Sequence, residues 1–468
     1  MMMLNVKGQH VLVLGLGKTG YSLARYLVRH GAIVTVADTR DDPPYRDLLA
    51  QNFPQVRLHC GALILPLFDT VSMIAVSPGV PKDQPLIQEA VKRGVDLVGD
   101  IELFARALPE DQKVLAITGT NGKTTTTSLT RALCEAAGFK AIAAGNIGEP
   151  VLDVLETLET GQPFPDVFVL ELSSFQLETT GSLKVTAAAV LNVSGNHLDR
   201  YPSVVEYAHA KARIFEHAAL QVLNADDAAC RAMRLPDVPA YYFGEEEGMI
   251  AQVSALSKWT LGQDGNQLSL KHEGAPLVSA DRLSLNGKHN AANALAALAL
   301  TSAVIDNFEE QGFPQSVIDA LCAFQGLPHR METVGTFNGI RYINDSKATT
   351  VVATQAAVSG LTEPIVLILG GDGKKQDFAP LAETAAKHCR AVLLIGRDAA
   401  LIAGALDAEK SVRYELCETL ENAMKRARTL AVKGDCVLLS PACASWDQFK
   451  DYTERGKQFA LLAKADPS

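Results

Sequence analysis

Short apolar runs alternate with longer amphipathic stretches along nearly the whole of this 468-residue chain, and no other feature constrains its fold as tightly. A run of four to six apolar residues is enough for a strand buried on both faces. A parallel neighbour then needs a crossover of about a dozen residues, which the amphipathic stretches supply as helices. The pattern predicts an α/β protein with largely parallel sheets. At about 150 residues per domain the length accommodates three such units in series. Breaks at Leu108-Pro109-Glu110-Asp111 and Gly326-Leu327-Pro328-His329 divide them into residues 1–108, 109–326 and 327–468.

Within the first unit, strands are expected at 10–15, 33–38, 56–60 and 73–77, with a helix near 21–30. The second begins with a strand at 113–118 and has others at 167–172 and 187–193. A helix is expected around 204–217, a β-ribbon turning at Asp264-Gly265 between 250 and 285, and a buried alanine-rich helix at 290–304. The third has strands at 340–344, 365–369, 391–395 and 436–439.

Charge and composition narrow the function. Lys plus Arg total 43 and Asp plus Glu 53, a net charge of −10, which argues against coating nucleic acid or an anionic membrane. No run of about 18 apolar residues marks a membrane span. The opening residues lack the charged region and cleavage site of a secretory signal, so a cytoplasmic protein is expected. The eight cysteines form no CxxC pair and read as reduced thiols. Cys443 has no basic partner at fixed spacing, so a buried structural thiol is expected in preference to a nucleophile.

Two loops carry phosphate chemistry. Gly119-Thr120-Asn121-Gly122-Lys123-Thr124-Thr125 follows a strand and opens a helix. Its glycines let backbone N–H groups reach phosphate, Lys123 would neutralise β/γ-phosphate charge, and the Thr124 hydroxyl would ligate Mg²⁺. The loop is two residues shorter than the usual P-loop, and Ile117 stands where its first glycine would be. Glu171, ending the strand at 167–172, is placed as a metal-binding acid. The second loop, Gly15-Leu16-Gly17-Lys18-Thr19-Gly20, is a complete GxGxxG, with Asp38 ending the next strand where a ribose-binding acid would sit. Ser77-Pro78-Gly79-Val80-Pro81 suggests another diphosphate loop. Two nucleotide sites in adjacent units point to an ATP-dependent enzyme acting on a nucleotide-linked substrate. A nicotinamide dehydrogenase would use GxGxxG but leave the second-unit loop idle, and a P-loop switch protein would not need the polar clusters that end the third unit's strands.

The motifs GTNGKTT, ELSSFQLE, NHLDRY, GKHNAANALAALAL, GLPHRME, NDSKATT, GGDGKK and SPACASWDQF occur in this order across more than 400 residues. Together they resemble the Mur ligase family, and the second and last resemble its D-glutamate-adding branch. The resemblance implies a Rossmann-like N-terminal domain holding a UDP-muramoyl substrate, a central P-loop ATPase-like domain, and a Rossmann-like C-terminal domain binding the amino acid. It implies ATP-dependent amide synthesis from UDP-N-acetylmuramoyl-L-alanine and D-glutamate through an acyl phosphate, serving peptidoglycan precursor synthesis, by a monomer with only small-molecule partners. A folylpolyglutamate synthase or another Mur ligase would share the ATP site but not the SSFQ and SWDQF segments.

The same resemblance assigns residues. Thr19, Asp38, Thr39, Arg40, Ser77, Gly79 and Asn146 would hold the UDP-muramoyl substrate, with Ser173 and Gln176 of ELSSFQLE added to that set. Gly119, Thr120, Asn121, Gly122, Lys123, Thr124, Thr125, Asn293, Arg330 and Asp345 would hold ATP. Thr124, Glu171 and His197 would bind two Mg²⁺, with Lys211 carrying a CO₂-derived carbamate as a further metal ligand. Lys347, Thr349, Lys374, Ser445 and Tyr452 match positions associated with D-glutamate. Lys123, His197, Lys211 and Arg330 form the implied catalytic set. Asn196 precedes His197 where relatives usually carry Asp, and Trp446 and Tyr452 stand in place of Leu and Phe.

Overall fold

A computed structural model describes residues 6–195, 200–284, 287–373 and 376–465. His197 and Lys374, with Asn196, lie outside the described residues. Strands β1 (His10–Leu14), β2 (Ile33–Asp38), β3 (Arg57–Cys60), β4 (Met73–Val76) and β5 (Asp96–Val98) form a five-stranded parallel sheet in the order β3-β2-β1-β4-β5. Its order reverses at β1, so the loops leaving β1 and β4 flank the crevice where such sheets bind ligands.

The second sheet has nine strands: β6 (Lys113–Thr118), β7 (Ala141–Gly145), β8 (Val167–Glu171), β9 (Ala187–Val190), β10 (Gln221–Asn224), β11 (Ala240–Glu245), β12 (Ser257–Asp264), β13 (Gln267–His272) and β14 (Ala275–Ser279). They run in the order β14-β13-β12-β11-β10-β9-β6-β8-β7. β12 to β14 are the antiparallel ribbon expected around Asp264-Gly265; the other neighbours are parallel. β6, β8 and β9 are covered on both faces, which is why they read as unbroken apolar runs.

The third sheet contains β15 (Glu332–Phe337), β16 (Ile340–Asn344), β17 (Ile365–Gly370), β18 (Cys389–Ile395), β19 (Tyr414–Glu418) and β20 (Cys436–Leu439), in the order β15-β16-β20-β17-β18-β19. Only β15 is antiparallel to its neighbour.

Although there are three sheets, contacts divide the chain into two compact units: 1–283 with 291–323, and 284–290 with 324–468. The first two sheets share a unit because their helices bind each other. On the helix Lys18–Arg29, Arg25 pairs with Asp153 (2.8 Å) and Glu156 (2.9 Å) of the helix Val151–Glu159, and the Tyr26 hydroxyl donates to Glu159 (3.1 Å). One apolar core runs from Val11 and Leu27 through Phe104 to Phe168 and Leu223.

The helix expected around 204–217 ends at Ala212 and tightens into a 3₁₀ turn at Arg213–Phe215. The strand expected to reach Val193 stops at Val190, where the chain turns to meet the loop after β6. None of the eight cysteines forms a disulfide. Cys443 is buried, which pushes its thiol up to about 12, as a structural thiol requires. Among the described residues no helix is long and apolar enough to cross a membrane.

Candidate active site

The crevice of the first sheet is a cavity of about 510 Å³. Thr19, Asp38, Thr39, Arg40, Ser77 and Gly79 line it together, and Asn146 enters from the second sheet. A Cβ on Gly20 would overlap the Gly15 carbonyl, so the third glycine of the fingerprint is what lets the helix start against the strand. Asp38 does not present a free acid. Its Oδ2 accepts from Leu16 N and Arg40 Nη2 (2.6 Å each), and its Oδ1 from Arg40 N (2.9 Å) and Arg40 Nε (2.8 Å). Four N–H groups fill a carboxylate's acceptor positions, and the Arg40 guanidinium foremost holds the group down to about 2. Asp38 therefore orders the loop and presents Arg40 at the cavity wall.

The loop after β6 turns into the helix Lys123–Ala136 at Gly122, whose φ of 82° suits glycine and whose missing side chain leaves room for the Asn293 amide. Asn192 pins the loop by accepting from Asn121 N (2.8 Å) and donating to Asn121 O (3.1 Å). Lys123 Nζ donates to the Gly119 and Thr120 carbonyls (both 2.8 Å). Lys211, 1% exposed, donates to the same Gly119 carbonyl (2.9 Å) and lies 4.5 Å from the Tyr207 ring centroid. Burial first, and the Lys123 charge second, lower its pKa well below the ordinary lysine value.

Glu171 ends β8 beneath this loop. Its Oε1 accepts from Asn146 Nδ2 (2.7 Å), while Oε2 is buried with no hydrogen-bond partner among the described residues. A buried, half-satisfied carboxylate on the strand paired with β6, the strand that feeds the phosphate-type loop, fits a hard divalent cation such as Mg²⁺. Ser173 and Gln176 follow as a reciprocal cap: Gln176 N donates to Ser173 Oγ (3.2 Å), and Gln176 Oε1 accepts from Ser173 N (3.1 Å).

In the second unit the loops after β16, β17 and β20 converge. Asp345 is buried, accepting from Ser440 Oγ (2.8 Å) and Met331 N (3.2 Å), and burial pushes it up to about 7, partly opposed by those bonds and the charge of Arg330. Lys347 Nζ lies 3.9 Å from the Tyr452 ring centroid, and Ser445 is 2% exposed. Thr349 is stapled by a residue that no motif singled out. Gln376 Nε2 donates to the carbonyls of Thr349 (3.2 Å), Gly373 (3.0 Å) and Ala442 (3.1 Å), one in each loop. Buried Arg455 adds bonds to Ser346 O (2.8 Å) and Cys443 O (3.0 Å).

Sequence reasoning also passed over Arg200 as a tie between the first two sheets. It pairs with Glu178 (2.8 Å), stacks on Phe175 (4.6 Å) and reaches the Pro78 and Val80 carbonyls (3.4 Å each). Its signal was its place in NHLDRY.

Comparison with known proteins matches nearly the whole chain. Residues 9–99 match the MurD-like N-terminal domain of Mur ligases, 117–301 the Mur ligase middle domain, and 329–443 the Mur ligase glutamate ligase domain. A UDP-N-acetylmuramoylalanine–D-glutamate ligase of Methylobacillus flagellatus is 50% identical over 457 residues, spanning 98% of this chain and 97% of its own. The ligase of the same name from Chromobacterium violaceum is 48% identical over 453 residues, 96% of each chain. Among solved structures, a pseudomurein peptide ligase type C from Methanothermus fervidus superposes with a TM-score of 0.57 at 21% identity, covering 98% of this chain and 100% of that one. The UDP-N-acetylmuramate-alanine ligase MurC of Thermotoga maritima gives 0.57 at 19% identity with the same coverage. At such identities those two speak for the fold, whereas the curated relatives speak for descent: the chain belongs to the Mur ligase family.

Proposed function

We propose that this protein is an ATP-dependent ligase joining D-glutamate to UDP-N-acetylmuramoyl-L-alanine in peptidoglycan precursor synthesis. The observation that carries the reading is Asn146. It lines the first-sheet cavity and donates to the Glu171 carboxylate at 2.7 Å, so a nucleotide-linked acid seated in that cavity reaches the phosphate-transfer centre.

In this reading the uridine diphosphate lies along Thr19, Thr39, Arg40, Ser77 and Gly79, and the alanyl carboxylate extends past Asn146 toward Ser173 and Gln176. The loop Gly119–Thr125 and Asn293 hold ATP, with Arg330 and Asp345 adding contacts. The carboxylate attacks the γ-phosphorus, giving an acyl phosphate and ADP. Both reactants are anionic, so Lys123 and Arg330 offset their repulsion and the charge that develops on the transferring group. Thr124, Glu171 and His197 would hold Mg²⁺, which when bound adds further neutralisation of phosphate charge. Lys211 would serve as a carbamate, whose formation consumes a neutral amine, the form that burial and Lys123 favour. Lys347, Thr349, Lys374, Ser445 and Tyr452 would orient D-glutamate, whose amine attacks the acyl carbon and expels phosphate.

ADP release is the direct test. Pure protein with ATP, Mg²⁺ and UDP-N-acetylmuramoyl-L-alanine should release ADP at a sustained rate only when D-glutamate is added. Equal rates with L-glutamate or L-alanine, or none with any amino acid, would reject the assignment.

A further inference from the structure

Asp100 belongs to no motif, yet it lies at the first turn of the helix Asp100–Ala107 with 3% exposure. Its Oδ2 accepts from Gln176 Nε2 at 3.1 Å across 76 residues of sequence. A carboxylate only accepts, so it dictates which end of the Gln176 carboxamide faces it. The nitrogen turns inward, and the oxygen is left to take Ser173 N (3.1 Å) and Ser173 Oγ (3.2 Å). Both acceptor positions of that oxygen are then used, and one of the two N–H groups. Among the described residues no hydrogen bond uses the other.

The same helix grips the far end of this segment. Glu102 Oε2 accepts from Gly181 N (2.7 Å) and Ser182 N (2.9 Å), and its Oε1 from Ser182 Oγ (2.8 Å). The residue before Asp100 is glycine, and a Cβ there would overlap Thr179 Oγ1. Helix 100–107 therefore packs against the segment that leaves β8 two residues beyond Glu171, and fixes it at both ends with buried carboxylates.

We propose that Asp100 is a positioning residue for the ligation, which holds the Gln176 carboxamide so that its remaining N–H meets an oxygen of the acylated amino-acid substrate. The assignment rests on Gln176 binding that substrate, as proposed above. A flipped amide would offer an oxygen to an oxygen, turning an attraction into a repulsion, and the carboxylate of Asp100 forbids the flip. The connection also has a direction: the helix that ends the nucleotide-sugar sheet sets an amide beside the phosphate-transfer centre.

The test uses Asp100→Ala, Asp100→Asn, Gln176→Leu and the Asp100→Ala/Gln176→Leu double variant, each checked for a cooperative thermal melt. Binding of UDP-N-acetylmuramoyl-L-alanine and, separately, of a non-hydrolysable ATP analogue is measured by calorimetry. Asp100→Ala and Gln176→Leu should each weaken the muramoyl substrate on the order of tenfold, the scale of one lost hydrogen bond to a charged ligand. The nucleotide should bind within about twofold of wild type. Asp100→Asn keeps an acceptor oxygen and should recover most of the loss, and the double variant should bind no more weakly than Gln176→Leu alone. Should Asp100→Ala not fold, Asp100→Ser, whose hydroxyl is too short to reach the amide, carries the same comparison. Additive losses, a parallel loss of nucleotide binding, or an unchanged Asp100→Ala beside a weakened Gln176→Leu would overturn the proposal. An unchanged Gln176→Leu would instead remove Gln176 from the substrate site and sink the reading on which it rests.

Discussion

Lys123 and Lys211 donate to one and the same oxygen: their Nζ atoms lie 2.8 and 2.9 Å from the Gly119 carbonyl. Two ammonium groups on one acceptor repel each other, and only one of them has access to water. Lys211 is fully buried while Lys123 is not, and burial first, with the Lys123 charge second, lowers the Lys211 pKa. When ATP enters, Lys123 is expected to leave the carbonyls for phosphate oxygens, and Lys211, as a carbamate, becomes an anion near the same loop. In the proposed reading the pairing prepares one lysine as a phosphate partner and the other, as a neutral amine, for carbamate formation.

Lys211→Ala should consequently be nearly inactive, and short carboxylates such as acetate should restore part of the rate by refilling the space with an oxygen ligand. Arg at this position stays cationic and should not rescue. Steady-state ADP release with and without acetate measures both. Full activity of Lys211→Ala, or equal rescue by acetate and methylamine, would return this lysine to a structural role.

Lys123→Ala should abolish turnover, because an uncompensated γ-phosphate charge costs several kcal/mol, roughly a thousandfold or more in rate. The variant should still bind UDP-N-acetylmuramoyl-L-alanine, since the cavity of the first sheet contains no part of this loop. Isothermal calorimetry with that substrate, beside the rate assay, separates a lost phosphate contact from a misfolded protein.

Asn146 holds Glu171 by one hydrogen bond at 2.7 Å. A partner that orients a metal-binding carboxylate is commonly worth 10–100-fold in metal affinity. Asn146→Ala should therefore raise the Mg²⁺ concentration for half-maximal rate by about that factor, and Mn²⁺ titrated by paramagnetic resonance in the presence of an ATP analogue should bind correspondingly less well. An unchanged metal titration with a raised KM for the muramoyl substrate would confine Asn146 to the cavity.

The strands and phosphate-type loops were legible because their causes are local. A buried parallel strand must be apolar, and the turn after it must let backbone approach an anion; both requirements are written in consecutive residues. Four strands that escaped the reading, β5, β7, β15 and β19, are sheet edges. An edge strand has one neighbour and partial cover, so its apolar signal is short or broken, as in Glu332–Phe337 and Tyr414–Glu418. β10 and β11 are interior and escaped the reading as well, although Tyr241, Tyr242 and Phe243 are strand-forming residues. In the site, residues of the glycine loops and strand ends were visible. Asp100, Arg200, Gln376 and Arg455 act through partners tens of residues away and leave no local pattern. Asp38 shows the opposite limit: its position at the end of β2 was legible, but the four N–H groups that fill it depend on where Arg40 folds. The matched family domains, 9–99, 117–301 and 329–443, change over at the breaks read from the sequence, whereas how closely the first two pack was not legible. A proline-containing break at 108–111 marks where the chain changes sheet, yet the ion pairs of Arg25 and the common core bind both sheets into one body.

Asp345 gives the protein a pH signature. Its carboxyl is pushed up to about 7 by burial, against an ordinary value of 3.8. Between those two values the folded protein holds a proton that the unfolded chain has released, so the folded state binds more protons and stability must fall as pH rises. The penalty is absent below about pH 4, grows through the interval, and is complete once pH passes about 7. Asp345→Asn removes the titration; its one oxygen keeps the acceptor position for Met331 N, and the Ser440 hydroxyl can rotate to accept from the new amide nitrogen. Melting temperatures of the ligand-free protein across pH 4 to 8 should therefore decline more steeply for wild type than for Asp345→Asn, the two curves separating in favour of the variant toward pH 8. Parallel curves for the two ligand-free proteins would mean that the buried carboxyl ionises at its ordinary value and that Arg330 and the two donors fully offset its burial.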